Sequence, residues 1–211
     1  MLYNCADPEA RSEGLTRAAR SVRAGELVVL PTDTVYGVGA DAFNREAVAK
    51  LLAAKGRGRD MPVPVLVGSW NTIEGLVSFV SPTARSLIEA FWPGALTLVV
   101  THAPSLAWDL GDARGTVALR MPLHPVALAL LDQTGPMAVS SANRTGQPTA
   151  QTAEQAQEQL GESVAVYLEA GSALGSVAST IVDVTGERPK LLRVGAISTQ
   201  QVVDVVGELD V

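Results

Sequence analysis

The sequence predicts one α/β domain with a mixed β-sheet of about seven strands. Segments with helical spacing alternate with short apolar runs, and no long linker or internal repeat divides the 211 residues. Hydrophobic residues form 47% of the chain, which is enough for a substantial buried core. The alternation is not regular enough for a simple doubly wound sheet, and we therefore expect strands of both directions.

Three helices and two strands are predicted before residue 96. Asp7 and Pro8 provide the cap and the first-turn proline of a helix that ends near Gly25. The apolar run Leu27–Leu30 is typical of a short buried strand. The other elements are a helix from Asn44 to Lys55–Gly56, a strand at Val63–Val67 that Pro64 restricts to an edge or a bulge, and a helix from Ser81–Pro82 to Phe91–Trp92.

Strands and helices continue to alternate after residue 96. Helices are expected to begin at Pro125, at Thr152 and at Ser198. Gln155 stands three residues after Thr152, which is the spacing of a capping box. Gly171–Ser176 is rich in glycine and serine and is the strongest candidate for a flexible segment. Strands are predicted at residues 96–101, 116–119, 136–140, 164–168, 180–184 and 191–194.

Composition restricts the functions that this chain can serve. The formal net charge of −6 argues against broad non-specific binding to nucleic acid or to an anionic membrane. Cys5 is the single cysteine and cannot form an intrachain disulfide, and the two histidines, His102 and His124, are too few for a typical zinc site. The charged N-terminal segment indicates no signal peptide, and no apolar run approaches the ~20 residues of a membrane span. We expect a soluble cytoplasmic protein without a metal site of its own.

Hydroxyl, amide and cationic residues cluster in two segments that lie far apart in the chain. The first combines Pro31–Gly37 with the basic stretch Lys55–Arg59, and the second is Ser140–Asn143. Each segment follows an apolar run or a helix, so each is also typical of an ordinary turn or of a helix end. If the two segments converge in the fold, they form a concave site for an anionic ligand, with Lys and Arg contacting phosphate or carboxylate groups.

Two arginines strengthen the hypothesis of an anionic ligand. Arg120 and Arg193 each stand at the end of an apolar strand, where a buried charge requires an anionic partner. Together with Lys55 and Arg57 they favour a ligand with several negative charges, such as a nucleoside triphosphate or an adenylate. The sequence has neither a Walker A motif nor a GxGxxG fingerprint in the right context, and it also lacks GxSxG and HExxH.

Six motifs occur in the order typical of the YrdC/Sua5 family, and the chain resembles that family over about residues 12–200. The match is specific because of the order, since each motif alone is a weak signal. The length resembles the short form of the family, which has one domain. The motifs are Pro31–Ala42, Lys55–Arg57, Phe91–Thr97, Arg120–Pro125, Ser141–Asn143 and Ser179–Asp183.

The resemblance implies a fold, a reaction and partners. Residues 12–200 would form a YrdC-like domain with a curved mixed sheet around an open cavity, and residues 201–211 the end of the last helix and a tail. The implied activity condenses L-threonine, bicarbonate and ATP to threonylcarbamoyl-AMP and pyrophosphate, for the t6A37 modification of tRNA. Mg²⁺, held mainly by the ATP phosphates, is the implied cofactor. The implied partners are downstream threonylcarbamoyl transferase proteins, while direct binding of tRNA stays open.

The resemblance also implies a role for individual residues. Arg120 would hold the threonine carboxylate, for which its planar fork of donors is suited. The implied catalytic and ATP-binding residues are Lys55, Arg57, Ser141 and Asn143, with Thr116, Thr149 and Arg193 as further nucleotide contacts. The implied L-threonine contacts are Thr32, Thr34, Arg120 and Ser179.

Three positions differ from the family pattern, and other functions stay open. Met61 and Leu66 stand where relatives have Asn and His, and Val194 stands where they have Pro. One alternative is a nucleotide-binding paralogue that has lost synthase activity. A second is an RNA-binding module, which the negative charge and the few aromatic residues disfavour. A third is the carbamoyl-adenylate chemistry of hydrogenase-maturation proteins, whose additional cysteine-rich and acylphosphatase parts have no counterpart in this sequence.

Overall fold

A computed structural model describes residues 1–173, 175 and 177–211, and within these residues ten strands form one mixed sheet that packs against six α-helices. The strands are β1 (Leu2–Asn4), β2 (Val28–Leu30), β3 (Gly37–Asp41), β4 (Val65–Leu66), β5 (Leu96–Thr101), β6 (Thr116–Arg120), β7 (Met137–Ser141), β8 (Val166–Glu169), β9 (Thr180–Asp183) and β10 (Lys190–Arg193). The helices are α1 (Pro8–Arg23), α2 (Arg45–Lys55), α3 (Pro82–Phe91), α4 (Pro125–Thr134), α5 (Ala153–Leu160) and α6 (Thr199–Val206).

The sheet order is β1-β8-β2-β3-β7-β4-β6-β5-β9-β10. The sheet contains both parallel pairs, such as β4 with β6 and β5 with β9, and antiparallel pairs, such as β5 with β6. The predicted α/β fold with a mixed sheet is therefore confirmed. The predicted number of about seven strands is wrong, because ten strands occur in the part of the chain that the structure describes.

Local capping explains why the helices begin where the sequence predicts. The side chain of Asp7 accepts a hydrogen bond from the Ala10 N–H, and that of His124 accepts one from the Val126 N–H. The expected capping box at Thr152 is only half formed. Thr152 accepts from the Gln155 N–H, but the Gln155 side chain accepts from the N–H of Gln151 instead of that of Thr152.

Two apolar layers cover the two faces of the sheet. The first contains α1 and α4, and the second contains α2, α3, α5 and α6. Alternate strand residues contribute to the two layers, as in β2, where Val28 packs in the first layer and Val29 in the second. Leu98 and Val182 likewise belong to the second layer, so the residues that alternate with them on β5 and β9 point away from it.

The strand predicted at Val63–Val67 is shorter than expected and lies inside the sheet. β4 contains only Val65 and Leu66 and pairs with β7 on one side and β6 on the other. Of the two predicted positions, an edge or a bulge, the edge is therefore wrong. Pro64 stands just before the strand, where no ladder hydrogen bond requires its missing N–H. Its carbonyl accepts a hydrogen bond from the Val139 N–H at 2.9 Å, which continues the sheet without a donor from proline.

Two strands lacked a clear sequence signal. β3 contains Gly37 and Gly39, which weaken the usual strand pattern. A Cβ atom at Gly37 would stand 2.6 Å from Val139, and one at Gly39 would stand 2.8 Å from Met137, so both glycines allow β7 to pack closely. β1 has only three residues and depends on pairing with the distant β8.

The predicted flexible segment Gly171–Ser176 includes Leu174 and Ser176, which lie outside the described residues. Within the described ranges, none of the helices has the length and apolar character needed to span a membrane.

Candidate functional site

A cavity of about 660 Å³ opens between the strands and the loops that follow them. This volume lies in the range of pockets for small-molecule ligands. Both of the polar segments that the sequence separates contribute to its wall. The predicted site residues that line the cavity are Thr32, Thr34, Arg57, Thr116, Arg120, Ser141, Thr149, Ser179 and Arg193.

The sheet register forms the floor of the cavity. Ala118 on β6 pairs with Val99 on β5, and Val99 pairs in turn with Asp183 on β9, so these three residues form a row across three strands. All three line the cavity. Thr97 and Ile181 form a second row of the floor. Thr97 stands two residues before Val99 on β5, Ile181 stands two residues before Asp183 on β9, and the two pair with each other.

Arg120 lies at the end of β6 with its guanidinium group buried. Its Nε donates to the Gly94 carbonyl at 2.9 Å, its Nη1 to Thr34 Oγ1 at 2.9 Å, and its Nη2 to Asp33 Oδ1 at 2.6 Å. Burial lowers the pKa of Arg120, and Asp33 opposes this effect. Three of the five N–H donors of the guanidinium are thus engaged, which leaves two for a ligand.

A local turn positions the hydroxyl groups near Arg120. Thr32 Oγ1 donates to the Val35 carbonyl at 2.6 Å and accepts hydrogen bonds from the N–H groups of Thr34 and Val35. The two threonine hydroxyls are 3.1 Å apart. Asp33 Oδ1 also accepts from the Leu123 N–H at 2.9 Å, which ties this turn to the loop after β6. Thr32 therefore shapes the turn, and Thr34 presents its hydroxyl to Arg120.

Arg193 and Ser179 contact each other at the end of β10. The Nε and Nη2 atoms of Arg193 donate to the Ser179 carbonyl at 3.0 and 2.8 Å, and Nη2 also lies 3.2 Å from Ser179 Oγ. Ser179 Oγ is 2.8 Å from Thr97 Oγ1. Behind them, Thr180 Oγ1 accepts from the N–H groups of Gly195 and Ile197, so the two chain segments are held together.

Arg57 extends from the end of α2 into the cavity wall. Its Nε donates to the Met61 carbonyl at 2.8 Å, its Nη2 to the Pro62 carbonyl at 3.0 Å, and its Nη1 to Ser140 Oγ at 3.1 Å. Burial lowers the pKa of Arg57, Asp60 opposes this, and the positive charge of Arg193 adds to it. Backbone carbonyls thus fix the orientation of the guanidinium without neutralising its charge.

The three arginines form one electropositive region. Burial has the largest effect on the pKa of Arg120 and lowers it, whereas Asp33 raises it. The positive charge of Arg193 has a smaller effect, which also lowers this pKa. Arg193 is therefore near enough to both Arg57 and Arg120 for mutual repulsion, which an anionic ligand would relieve.

Lys55 and Asn143 do not line the cavity; they lie behind it. Lys55 is only 3% exposed, and its Nζ donates to the carbonyl of Ser141 and, at 2.6 Å, to that of Asn143. Burial, with a smaller effect of Arg57, lowers the pKa of Lys55 to about 8. The Asn143 Nδ2 donates to the carbonyls of Arg144 and Gln147. Both side chains therefore hold the turn that carries Ser141.

The remaining predicted residues have single, local roles in the wall. Thr116 Oγ1 donates to the Ala113 carbonyl at 2.7 Å, and Thr149 lines the cavity. Of the two residues that differ from the family pattern in this region, Leu66 is buried against the cavity, and Met61 is exposed and contributes its carbonyl to Arg57. Arg59 faces away, because Asp109 binds it through two oxygens at 2.7 and 3.2 Å.

Four polar residues of the site lie within the segments and motifs singled out from the sequence but had no individual role predicted. Asp33, Thr97 and Ser140 contact Arg120, Ser179 and Arg57 respectively, and Asp183 lines the floor. A signal was available for two of them. Thr97 and Asp183 each stand two residues from another cavity-lining residue of the same strand. Residues at this spacing lie on the same face of a strand.

Known proteins resemble this chain both in sequence and in structure. A model of the Sua5/YciO/YrdC family, described as "Telomere recombination", matches residues 20–195. A Mycobacterium tuberculosis protein, provisionally named a threonylcarbamoyl-AMP synthase, is 64% identical over 205 residues, covering 97% of this chain and 94% of the relative. The threonylcarbamoyl-AMP synthase of Bacillus subtilis is 39% identical over 93% of this chain and 58% of its own length.

A solved structure shares the fold. The crystal structure of Pyrococcus abyssi Sua5 complexed with L-threonine has a TM-score of 0.91 and 33% identity to this chain. The match covers 100% of this chain and 62% of that one, so this chain spans less than two thirds of that relative.

Proposed function

This chain belongs to the Sua5/YciO/YrdC family, and we propose that it is an L-threonylcarbamoyl-AMP synthase. Such an enzyme is a nucleotidyltransferase that condenses L-threonine, bicarbonate and ATP to threonylcarbamoyl-AMP and releases pyrophosphate. The 64% identity to a relative named for this activity supports the proposal, as does the likeness to a Sua5 structure complexed with L-threonine.

The convergence of three guanidinium groups on one cavity is the observation that carries the proposal. Arg57, Arg120 and Arg193 line the same space of about 660 Å³. A triphosphate and an amino-acid carboxylate together bring several negative charges, and planar guanidinium groups bind both kinds of oxyanion through paired donors. Binding of these two anionic substrates would relieve the mutual repulsion of the three guanidinium groups, which the protein without ligands has to tolerate.

L-threonine binds near Arg120 in this proposal. The two free N–H donors of Arg120, one on Nη1 and one on Nη2, take the substrate carboxylate, and Asp33 holds the guanidinium in place through the other N–H of Nη2. The hydroxyls of Thr34 and Ser179 complete the polar surface around the amino acid. Thr32 contributes by fixing the turn, because its hydroxyl is already used within it.

ATP binds along the wall that Arg57, Arg193 and Ser141 form, with Thr116 and Thr149 as further contacts. Lys55 and Asn143 act on the nucleotide through the turn that they hold, since neither lines the cavity. Their predicted role as ATP ligands thus becomes a positioning role in this proposal.

Mg²⁺ would accompany ATP and neutralise part of the phosphate charge. Asp183 is the one carboxylate among the residues that line the cavity, and the described ranges contain no cluster of three or more His, Cys, Asp or Glu side chains that could hold a metal. This fits an ion whose ligands are mainly phosphate oxygens and water.

The chemistry requires positioning and charge neutralisation more than a general base. The amine of threonine forms a carbamate either with carbon dioxide, which releases a proton, or with bicarbonate, which releases water. A carbamate oxygen then attacks the α-phosphorus of ATP, the bond to the bridging oxygen of the β-phosphate breaks, and pyrophosphate leaves. Arg120 holds one reactant and Arg57 with Arg193 the other, which converts an encounter of two anions into a reaction within one site.

The product requires a further group transfer, and we propose that downstream threonylcarbamoyl transferase proteins use it to form t6A at position 37 of tRNA. Because ATP, threonine and tRNA meet in the cytoplasm, the proposed compartment is the cytoplasm. The proposal includes no direct binding of tRNA by this chain.

Incubation with ATP, Mg²⁺, bicarbonate and L-threonine tests the function. We expect release of pyrophosphate that depends on both threonine and bicarbonate, together with a product of the mass of threonylcarbamoyl-AMP. Reactions without threonine or without bicarbonate are the controls. Pyrophosphate release that is independent of either, or no release at all, would contradict the proposal and favour a paralogue without synthase activity.

A further inference from the structure

We propose that Asp183 selects a ribonucleotide by accepting hydrogen bonds from the ribose hydroxyl groups. The inference rests on the proposed function, since it assumes that a nucleotide occupies the cavity. It adds a specificity-determining residue at the end of the floor where, among the described residues, no arginine forms an ion pair with the carboxylate.

The position of Asp183 follows from the register of the sheet. It ends β9 and lines the cavity in one row with Val99 and Ala118. Ser179, which contacts Arg193, lies four residues earlier, or about 13 Å along an extended strand. The guanidinium of Arg193 points to this earlier position, because it donates to the Ser179 carbonyl. The floor is thus cationic at one end and carries a carboxylate at the other.

The hydrogen bonds of Asp183 leave one oxygen for a ligand. Its Oδ1 accepts from the N–H of Thr185 at 2.9 Å and from the Thr185 hydroxyl at 2.7 Å. Within the described residues its Oδ2 has no hydrogen-bond partner, and no Lys or Arg nitrogen lies within 4 Å. Lys190 stands opposite Asp183 in the ladder with β10 but remains outside ion-pair distance.

The charges determine which part of a nucleotide can lie here. Phosphate groups are repelled by the carboxylate and attracted to Arg57 and Arg193, so the triphosphate lies at the cationic end. The neighbouring part of the nucleotide is neutral and rich in hydroxyl donors, and a carboxylate binds the sugar hydroxyls of nucleotides well for this reason. Val99 and Ala118 line the cavity in the same row as the carboxylate and offer apolar contacts to the nucleoside.

Binding of nucleotide analogues to the full chain and to Asp183→Asn tests the inference. The asparagine keeps an oxygen for Thr185 but loses the charge, so the turn is preserved. By calorimetry with Mg²⁺ we expect the wild type to bind ATP about 10-fold or more tightly than 2′-deoxy-ATP or 3′-deoxy-ATP, the scale of a hydrogen bond to a charged group. In Asp183→Asn this preference should shrink to about 2-fold or less, chiefly through weaker binding of ATP.

Three further measurements separate the explanations. Lys190→Ala should keep the wild-type preference for ATP over its deoxy analogues. An equal loss of this preference in Lys190→Ala and in Asp183→Asn would show that Asp183 acts by supporting the pairing of β9 with β10 instead. Inosine triphosphate should respond to Asp183→Asn as ATP does, and an effect confined to ATP would assign the carboxylate to the adenine amine. If the effect of Asp183→Asn on ATP binding disappears in EDTA, the carboxylate acts on Mg²⁺. Each of these contrary results overturns the ribose contact. No preference for ribose in a wild type that binds ATP overturns this inference alone, whereas no binding of ATP overturns the proposed function as well.

Discussion

The guanidinium of Arg120 and the carboxylate of Asp33 form a buried ion pair, with Nη2 and Oδ1 separated by 2.6 Å and the side chains 8% and 13% exposed. The strand end of β6 thereby carries a cation whose orientation is set before any ligand arrives. The charge of Arg120 is compensated on one side, while two of its N–H donors remain for an anion in the cavity.

Arg120→Lys is expected to impair threonine binding selectively. Lysine keeps the positive charge but loses the planar fork that contacts Asp33, Thr34 and a carboxylate at the same time. We expect the threonine KM to rise about 10-fold or more and the affinity for ATP to stay within about 2-fold. Steady-state kinetics with each substrate varied in turn measures both values.

The matched control for this change is Arg188→Lys, which alters an arginine in the exposed ion pair with Glu208. This variant should behave as the wild type, because exposed pairs contribute little. Equal losses for threonine and ATP in Arg120→Lys would show that Arg120 supports the nucleotide or the fold instead.

Arg57→Ala is expected to weaken ATP binding without a large loss of stability. Its guanidinium lines the cavity and contacts two exposed backbone carbonyls and one hydroxyl. Removing a hydrogen bond to a charged phosphate costs roughly 1.5–3 kcal/mol. Calorimetric titration with ATP measures the loss. Arg59→Ala is the control two residues away, since Arg59 is bound by Asp109 outside the cavity. Similar ATP affinities for the two variants would contradict the placement of phosphates beside Arg57.

The lowered pKa of Lys55 predicts a pH dependence of stability. The folded protein releases this proton at about pH 8, and the unfolded chain releases it at the ordinary value of 10.5. Between these two values the unfolded state binds more protons, so the free energy of unfolding rises with pH, by at most about 1.4 kcal/mol per unit. Lys55→Met lacks this gain, and the advantage of the wild type over the variant should grow from pH 8 towards pH 10.

Urea denaturation at several pH values measures that advantage. Lys50→Met removes an exposed lysine from the same helix and serves as the control. An advantage of the wild type that stays constant or shrinks above pH 8 would mean that the hydrogen bonds to Ser141 and Asn143 keep Lys55 charged in the folded state.

The helices and the general location of the site were predictable from the sequence because their signals are local. Asp7 and Ser198 cap their helices through neighbours three residues away, which a reader of the sequence can see. The partners of the charged groups were not predictable in this way. Asp33 is 87 residues from Arg120, and Ser141 is 86 residues from Lys55, so only the sheet order brings each pair together. The same non-local pairing explains why Lys55 lies behind the cavity although its neighbour Arg57 lies within it.

The chain segments that carry Ser179 and Arg193 meet at Gly195, and a methyl group is expected to disrupt them. A Cβ atom at Gly195 would stand 2.3 Å from the Ala178 carbonyl oxygen and 2.4 Å from the Ser179 carbonyl carbon. Both neighbours are backbone atoms, which cannot move aside as a flexible side chain could. Crowding of this kind destabilises a protein by about 1–3 kcal/mol.

Gly195→Ala should therefore affect the site more than its loss of stability alone explains. The Gly195 N–H donates to Thr180 Oγ1, so displacing it moves the start of β9 and with it the contact between Arg193 and Ser179. We expect the variant, assayed at a temperature where it remains folded, to show raised KM values for both threonine and ATP. Gly75→Ala is the control, since a Cβ atom there has no neighbour within 4 Å. Wild-type KM values in folded Gly195→Ala would show that β9 tolerates the shift and that the Arg193–Ser179 contact does not position the substrates.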